Sequence, residues 1–125
     1  ALNGEPGVKS RRWPGYEASD EELIEMMLNK MKEVPWEKRQ ARFRVCLAFV
    51  MPNEDEVWVR EGAHAGYIAE SPGQFVPGYP FRSLFWLPEF GKTLGELTPD
   101  EEAGAVLHRK KALIELLPVI KEKLV

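Results

Sequence analysis

Ala41-Arg42-Phe43-Arg44-Val45-Cys46-Leu47-Ala48-Phe49-Val50-Met51, residues 41–51, alternates Phe43, Val45, Leu47, Phe49 and Met51 with Arg42, Arg44, Cys46, Ala48 and Val50. A period of two places successive side chains on opposite faces, so the run predicts a β-strand. One face is strongly apolar, and the other turns apolar toward the end of the run, as in a strand covered increasingly on both sides. Cys46 is therefore expected to be a buried, inert thiol. No base lies near it in the sequence to make it a nucleophile. As the single cysteine of the chain, it excludes an internal disulfide framework. Downstream, Pro52-Asn53-Glu54-Asp55 is turn chemistry, and Val57-Trp58-Val59-Arg60 predicts the hairpin partner. Tyr67-Ile68-Ala69 continues that partner after Gly62 and Gly66.

Upstream of the strand, Ser19 followed three residues later by Glu22 is a capping box. Leu23, Ile24, Met27, Leu28 and Met31 then recur at helical spacing, which predicts an amphipathic helix over 20–33 that stops before Pro35. Its methionines are expected to pack in the core. Residues 1–18, rich in Gly and Pro, are expected to be loop, with Trp13 packed into the core. On the far side of the hairpin, residues 71–82 predict a long irregular loop and Ser83–Leu87 a short buried strand. Thr98, Pro99 and Glu101 form an N-cap, a proline at the first helical position and a capping-box acid. Ala103, Val106, Leu107, Leu113, Ile114 and Leu117 predict the apolar face of one long helix, kinked or ended by Pro118. Together these elements predict an α/β (mixed α+β) fold, one domain over residues 1–125.

Several function classes are disfavoured by composition. The chain has 125 residues and a net charge of −3, whereas a general nucleic-acid binder is usually basic. No apolar run approaches a membrane span, and no signal peptide is evident, so a cytoplasmic protein without nucleic-acid or membrane partners is expected. No Cys/His cluster, Ser-His-Asp set or P-loop spacing occurs.

Three clusters carry possible chemistry. Ser10-Arg11-Arg12-Trp13-Pro14-Gly15 places a hydroxyl and an arginine two residues apart, Ser10 and Arg12, in a Gly-flanked loop, and Arg suits bidentate anion contacts. Tyr79, Phe81 and Arg82 sit in a Gly/Pro-rich loop whose aromatic rings can stack on a base. His108-Arg109 pairs a neutral-pH hydrogen bonder with a fixed cation. Asp100, Glu101 and Glu102 are expected to serve the helix N-terminus. Taken singly, each cluster also has an ordinary structural explanation.

In order, these stretches resemble the inosine/xanthosine triphosphate pyrophosphatase family. Residues 1–15 look like its A-L-x-G-x-P-G-V-x-S-A-R-Y-A-G segment, and Ala41-Arg42-Phe43 resembles its A-R-F strand. Gly62, Gly66 and Ile68 match its G-x-x-x-G-x-I. Leu87–Leu97 matches its x-P-E-x-G-K-T-x-x-E-L, and His108-Arg109 with Ala112-Leu113 matches its S-H-R-x-x-A-L. The resemblance implies hydrolysis of a non-canonical purine nucleoside triphosphate to monophosphate and pyrophosphate with Mg²⁺. It also implies a homodimer, and an elongated fold with a central mixed sheet flanked by helices and a nucleotide cleft between two lobes. By carry-over, Ser10 and Arg12 lie near the triphosphate, Tyr79, Phe81 and Arg82 flank the base, and His108 and Arg109 contact the purine. The family's T-G-N-x-x-K segment and D-D-S-G acids precede its A-L-x-G stretch. The general base and metal ligands are therefore expected N-terminal of Ala1, with this chain corresponding to roughly the C-terminal two-thirds of the family fold. The isolated chain is accordingly expected to be weak or inactive. The alternative is a non-catalytic truncated or divergent module that binds nucleotide or only dimerises.

Two positions depart from the family pattern. The acid of its G-F-G-Y-D-P loop is here Arg82, and the Lys-Asn before S-H-R is replaced by Ala103-Gly104-Ala105 with one extra residue. The pair is read as a swap in which Arg82 supplies the lost cation from the other side.

Overall fold

In a computed structural model that describes residues 1–124, α1 (Asp20–Met31) starts behind a complete capping box. The Ser19 hydroxyl accepts from the Glu22 N–H, and the Glu22 carboxylate accepts from the Ser19 N–H. Strand β1 (Gln40–Val50) precedes the Pro52-Asn53 turn, where Asn53 takes a φ of 67°. Strand β2 (Val57–Ile68) runs unbroken through Gly62 and Gly66. Two short strands follow, β3 (Phe85–Leu87) and β4 (Lys92–Thr93). The sheet order is β1-β2-β3-β4, with β2–β3 and β3–β4 antiparallel; Tyr67 faces Trp86, and Trp86 faces Thr93. This is the expected mixture of helices and sheet.

The chain divides into two compact units. The first comprises residues 1–41 and 66–102. Its core is Met27, Met31, Ile68 and Leu84, with Leu2, Trp13, Ile24, Leu28, Val34, Ala41 and Phe81 packed around it. Met27, Met31 and Trp13 thus lie where the sequence placed them. The N-terminal stretch is not simply loop, since Gly7–Arg12 winds into a 3-10 helix. Trp36 stacks on Tyr67 at 5.1 Å and meets Trp86 edge-on at 6.2 Å.

The second unit comprises residues 42–65 and 103–125, and three expectations fail there. Cys46 is exposed. The strand alternates as predicted, but Arg42, Arg44, Cys46, Ala48 and Val50 form its outer face, which is uncovered within the unit. Period-two patterning assigns residues to faces but does not say what covers them. The single long C-terminal helix is in fact two, α2 (Pro99–Gly104) and α3 (His108–Leu124). Glycine is the weakest helix former after proline, and α2 ends on Gly104. Lys110 then donates from Nζ to the Ala103 carbonyl at 2.6 Å, occupying an acceptor that the broken helix leaves open. Pro118 is accommodated inside α3.

The buried face of α3 is also not the predicted one. Ala112 and Leu116 are buried, while Val106, Leu113, Ile114 and Leu117 are exposed. Close backbone approach explains the rotation. A Cβ on Gly62 would lie 1.9 Å from the His108 carbonyl oxygen and 2.9 Å from the Ala112 nitrogen. Only a small residue fits at that contact, and Ala112 supplies it, with Leu116 one turn further on the same face.

Four carboxylates are held below the ordinary carboxylate range. Asp20 is lowered chiefly by the Gly78 N–H, Glu22 by the Tyr16 hydroxyl, Glu96 by the Thr93 hydroxyl and Glu101 by the Lys92 ammonium. A depressed carboxylate contributes stability that is complete above its unfolded value, about 4. That contribution fades as pH falls through the folded value. The urea midpoint is therefore expected to drop as pH falls below about 4, with an unchanged denaturant slope. A midpoint that stays level down to about pH 3 would show that these bonds contribute nothing net.

Candidate functional site

In the first unit, Tyr79, Phe81 and Arg82 lie on one turn. Pro80–Ser83 forms a 3-10 turn entered from Gly78, whose φ of 82° is left-handed and therefore glycine-favouring. Pro80 is buried, and the Ser83 hydroxyl donates to its carbonyl at 2.7 Å. Phe81 packs edge-on against Trp13 at 6.3 Å and belongs to the core margin. Tyr79 is 50% exposed. The Arg82 guanidinium carbon lies 5.5 Å from the Tyr79 ring centroid, within cation–π range. Its Nη2 also donates to Glu102 Oε1 at 2.5 Å. The Arg82 charge is thus already balanced by a carboxylate on α2.

Ser10 and Arg12 lie on the Gly7–Arg12 3-10 helix, Ser10 half-buried and Arg12 exposed. Arg11 between them connects this segment to the loop. Its Nη1 donates to Asp20 Oδ1 at 2.7 Å and to the Ala18 carbonyl at 3.1 Å, and its Nη2 donates to the Gly78 carbonyl at 3.1 Å. Asp20 Oδ2 accepts from the Gly78 N–H at 2.8 Å. The sequence singled out Ser10 and Arg12 but not Arg11, Asp20 or Glu102 in this role. Their partners lie up to 67 residues away, so no local spacing announces them.

Behind the loop, Glu96 Oε1 accepts from both the Thr93 N–H at 3.1 Å and its hydroxyl at 2.7 Å. Lys92 Nζ donates to Glu101 Oε1 at 2.5 Å, and Glu101 closes the Thr98 cap that the sequence predicted. The acids expected to serve the helix N-terminus therefore divide their work. Glu101 caps, and Glu102 holds Arg82.

In the second unit, His108 and Arg109 open α3. His108 is half-buried and stacks on Phe43 with centroids 5.2 Å apart and an interplanar angle of 24°, while Arg109 is exposed. His64 Nδ1 lies 3.3 Å from Lys111 Nζ, which also donates to the Ala63 carbonyl at 2.9 Å. Among the described residues, no three His, Cys, Asp or Glu side chains gather as metal ligands. No helix among them is long and apolar enough to cross a membrane.

Capped helices on an antiparallel sheet define the class, a mixed α/β protein. The sequence pattern of the Ham1 family matches residues 1–119, and the chain belongs to that family. A dITP/XTP pyrophosphatase of Geobacillus kaustophilus is 42% identical over 116 residues, covering 93% of this chain and 55% of that protein. The Ham1 protein structure from Staphylococcus aureus superposes with a TM-score of 0.82 at 32% identity, covering 98% of this chain and 61% of that one. A nucleoside-triphosphatase, dITP/XTP pyrophosphatase, from Mycobacterium abscessus gives a TM-score of 0.75 at 38% identity, covering 94% and 60%. The chain thus spans between 55% and 61% of the length of these relatives. The family resemblance read from the ordered motifs is borne out.

Proposed function

We propose that this chain supplies the base-binding side of a hydrolase that converts non-canonical purine nucleoside triphosphates, of the dITP/XTP type, to monophosphate and pyrophosphate. The observation that carries the proposal is the match of nearly the whole chain to relatives named for that activity. The exposed Tyr79 ring beside Arg82 supports it. In this proposal Tyr79 offers its ring to the purine, and Phe81 backs the turn from the core side. Arg82, held by Glu102 through one nitrogen, donates to the 6-oxo and N7 acceptors of a hypoxanthine or xanthine, an edge that a guanidinium fits well. Ser10 and Arg12 face the triphosphate, and His108 and Arg109 contact the purine. A homodimer belongs to the same proposal and is checked by sedimentation.

The resemblance brings Mg²⁺ with it, whose usual contributions are to offset phosphate charge and activate water. The described residues do not form a carboxylate cluster able to hold it, so no step is routed through the ion. What these residues do is bind and orient.

The test is calorimetric binding of inosine triphosphate and adenosine triphosphate, followed by a pyrophosphate-release assay. Inosine triphosphate is expected to bind more tightly, with weak or no release by these 125 residues alone. Robust release would overturn the second expectation, and equal affinities would overturn the base-reading role. Arg82→Ala is expected to weaken inosine triphosphate about tenfold, the scale of one base-edge contact. Full retained affinity would remove Arg82 from the site.

The second reading, a non-catalytic nucleotide-binding or dimerisation module, is favoured by one observation, that Arg82 is already neutralised by Glu102. The two readings separate on the coding sequence upstream of Ala1. T-G-N-x-x-K and D-D-S-G codons there support the enzyme, and a start codon there supports the module.

A further inference from the structure

The exposed glycine peptide at Gly78 is held by two ionised side chains at once. Asp20 Oδ2 accepts from its N–H at 2.8 Å, and Arg11 Nη2 donates to its carbonyl at 3.1 Å. A 2.7 Å ion pair between Arg11 Nη1 and Asp20 Oδ1 closes the ring. Arg11 is fixed in turn by the Ala18 carbonyl at 3.1 Å, and Asp20 is the first residue of α1. Charge-assisted hydrogen bonds are shorter and stronger than neutral ones. An ordinary surface turn needs only its own i to i+3 bond, and this one already has such bonds, from the Tyr79 N–H to the Val76 carbonyl at 3.0 Å and from the Arg82 N–H to the Tyr79 carbonyl at 3.1 Å.

The residue that benefits is Tyr79. Its backbone is pinned before it at Gly78 and after it at buried Pro80, yet its ring stays half in solvent. An aromatic ring kept out of the core on a doubly anchored backbone contributes little to folding. It is a rigid stacking surface, presented at low entropic cost. We propose that Arg11 and Asp20 are positioning residues. They set the Gly78 peptide so that the Tyr79 ring meets the purine base, and they touch no part of the nucleotide themselves. The role rests on the proposed base-binding function above and adds to it Arg11 and Asp20, which the sequence reading gave no place in the site.

The test compares two probes, inosine triphosphate and inorganic tripolyphosphate, on the full chain. The double variant R11M/D20N removes one positive and one negative charge, so the net charge of −3 is unchanged and the general attraction for polyanions is conserved. It is expected to lose about tenfold in affinity for inosine triphosphate, the scale of one lost base–aromatic stack, while tripolyphosphate binds as before. Amide exchange at Gly78 and Tyr79 is expected to accelerate in the same variant, and exchange within α1 to stay put. If the double variant fails to fold, R11K, which keeps the charge but cannot span three acceptors, and D20N, which keeps the shape, are expected to show the same one-sided loss to a smaller degree. Equal losses on both probes, or no loss on either, would overturn the positioning role while leaving the base-binding proposal standing. Wild-type protein that binds inosine triphosphate no better than tripolyphosphate would overturn both.

Discussion

Gly62→Ala is expected to cost about 3 kcal/mol or more, the upper end for forcing an extra carbon into a packed site. The three nearest atoms to the added Cβ are the His108 carbonyl oxygen at 1.9 Å, the Ala112 nitrogen at 2.9 Å and the His108 carbonyl carbon at 3.0 Å. All three are backbone atoms of α3, so no rotamer change relieves the clash. The first turn of the helix has to move away from β2, and Ala112, fully buried, loses its contact with it. Lys111, which donates to the Ala63 carbonyl beside Gly62, is displaced in the same motion. Urea unfolding followed by tryptophan fluorescence measures the loss. Amide exchange should locate it first in α3, which takes the direct strain, rather than in α1. Gly104→Ala is the control. It ends α2 in open space with no atom within 4 Å of a new Cβ, and loss of chain flexibility there should be neutral or stabilising by up to about 1 kcal/mol. A Gly62→Ala protein with wild-type stability would mean that α3 is not seated on β2 as described.

What the sequence disclosed, and what it hid, divides by the range of the hydrogen bonds involved. The Ser19–Glu22 and Thr98–Glu101 caps close over three residues, so residue types at fixed spacing reveal them and the helices they start. The Phe43–Met51 alternation likewise reveals β1, and Gly62 and Gly66 stand out within β2 because a pleated strand has no local need for glycine. The Gly66 case is clear, since a Cβ there would lie 2.5 Å from the Trp86 carbonyl oxygen. Cys46 was misplaced for the complementary reason. Periodicity orders the residues on a strand without saying which face receives a neighbour. The break between α2 and α3 was missed because apolar spacing continues across it, and the helix stops through Gly104 and the Lys110–Ala103 bond rather than through a change of pattern. In the candidate site, the loop and the His-Arg pair were legible as residue types in family order. Arg11, Asp20 and Glu102 were not, because each acts on a partner brought near only by folding. Arg82 shows the difference most sharply. The sequence offers Arg82 as a cation in the loop, and only the fold shows the carboxylate that answers it.

Arg39 is the extreme case of a residue without a local signature, and Arg39→Met is expected to destabilise the first unit by several kcal/mol. Its side chain is 3% exposed, and an unpaired buried cation is ordinarily prohibitive. Here the charge is taken up by backbone dipoles. Nε donates to the Ile68 carbonyl at 2.7 Å, Nη1 to the Met31 and Val34 carbonyls at 2.6 and 3.0 Å, and Nη2 to the Ala69 carbonyl at 2.9 Å. Met31 is the last residue of α1, so the guanidinium also sits at the negative end of the helix, where a cation is favoured. The Arg39 backbone joins the same knot, its carbonyl accepting from the Ile68 N–H at 2.9 Å. One residue thus ties the end of α1 to the end of β2. Methionine fills similar volume but leaves several carbonyls without that donor, and each buried acceptor left unsatisfied costs about 1–3 kcal/mol. Lysine is expected to rescue little. A single ammonium on a flexible stem cannot address all four acceptors, whereas a guanidinium fork can. Unfolding midpoints of wild type, Arg39→Lys and Arg39→Met should therefore fall in that order, with the two variants close together. Because Met31 and Ile68 belong to the same core cluster, the Met variant should also lose the near-ultraviolet signal of Trp13 before its helix content. A Lys variant as stable as wild type would show that charge alone, rather than the four-carbonyl fork, holds this junction.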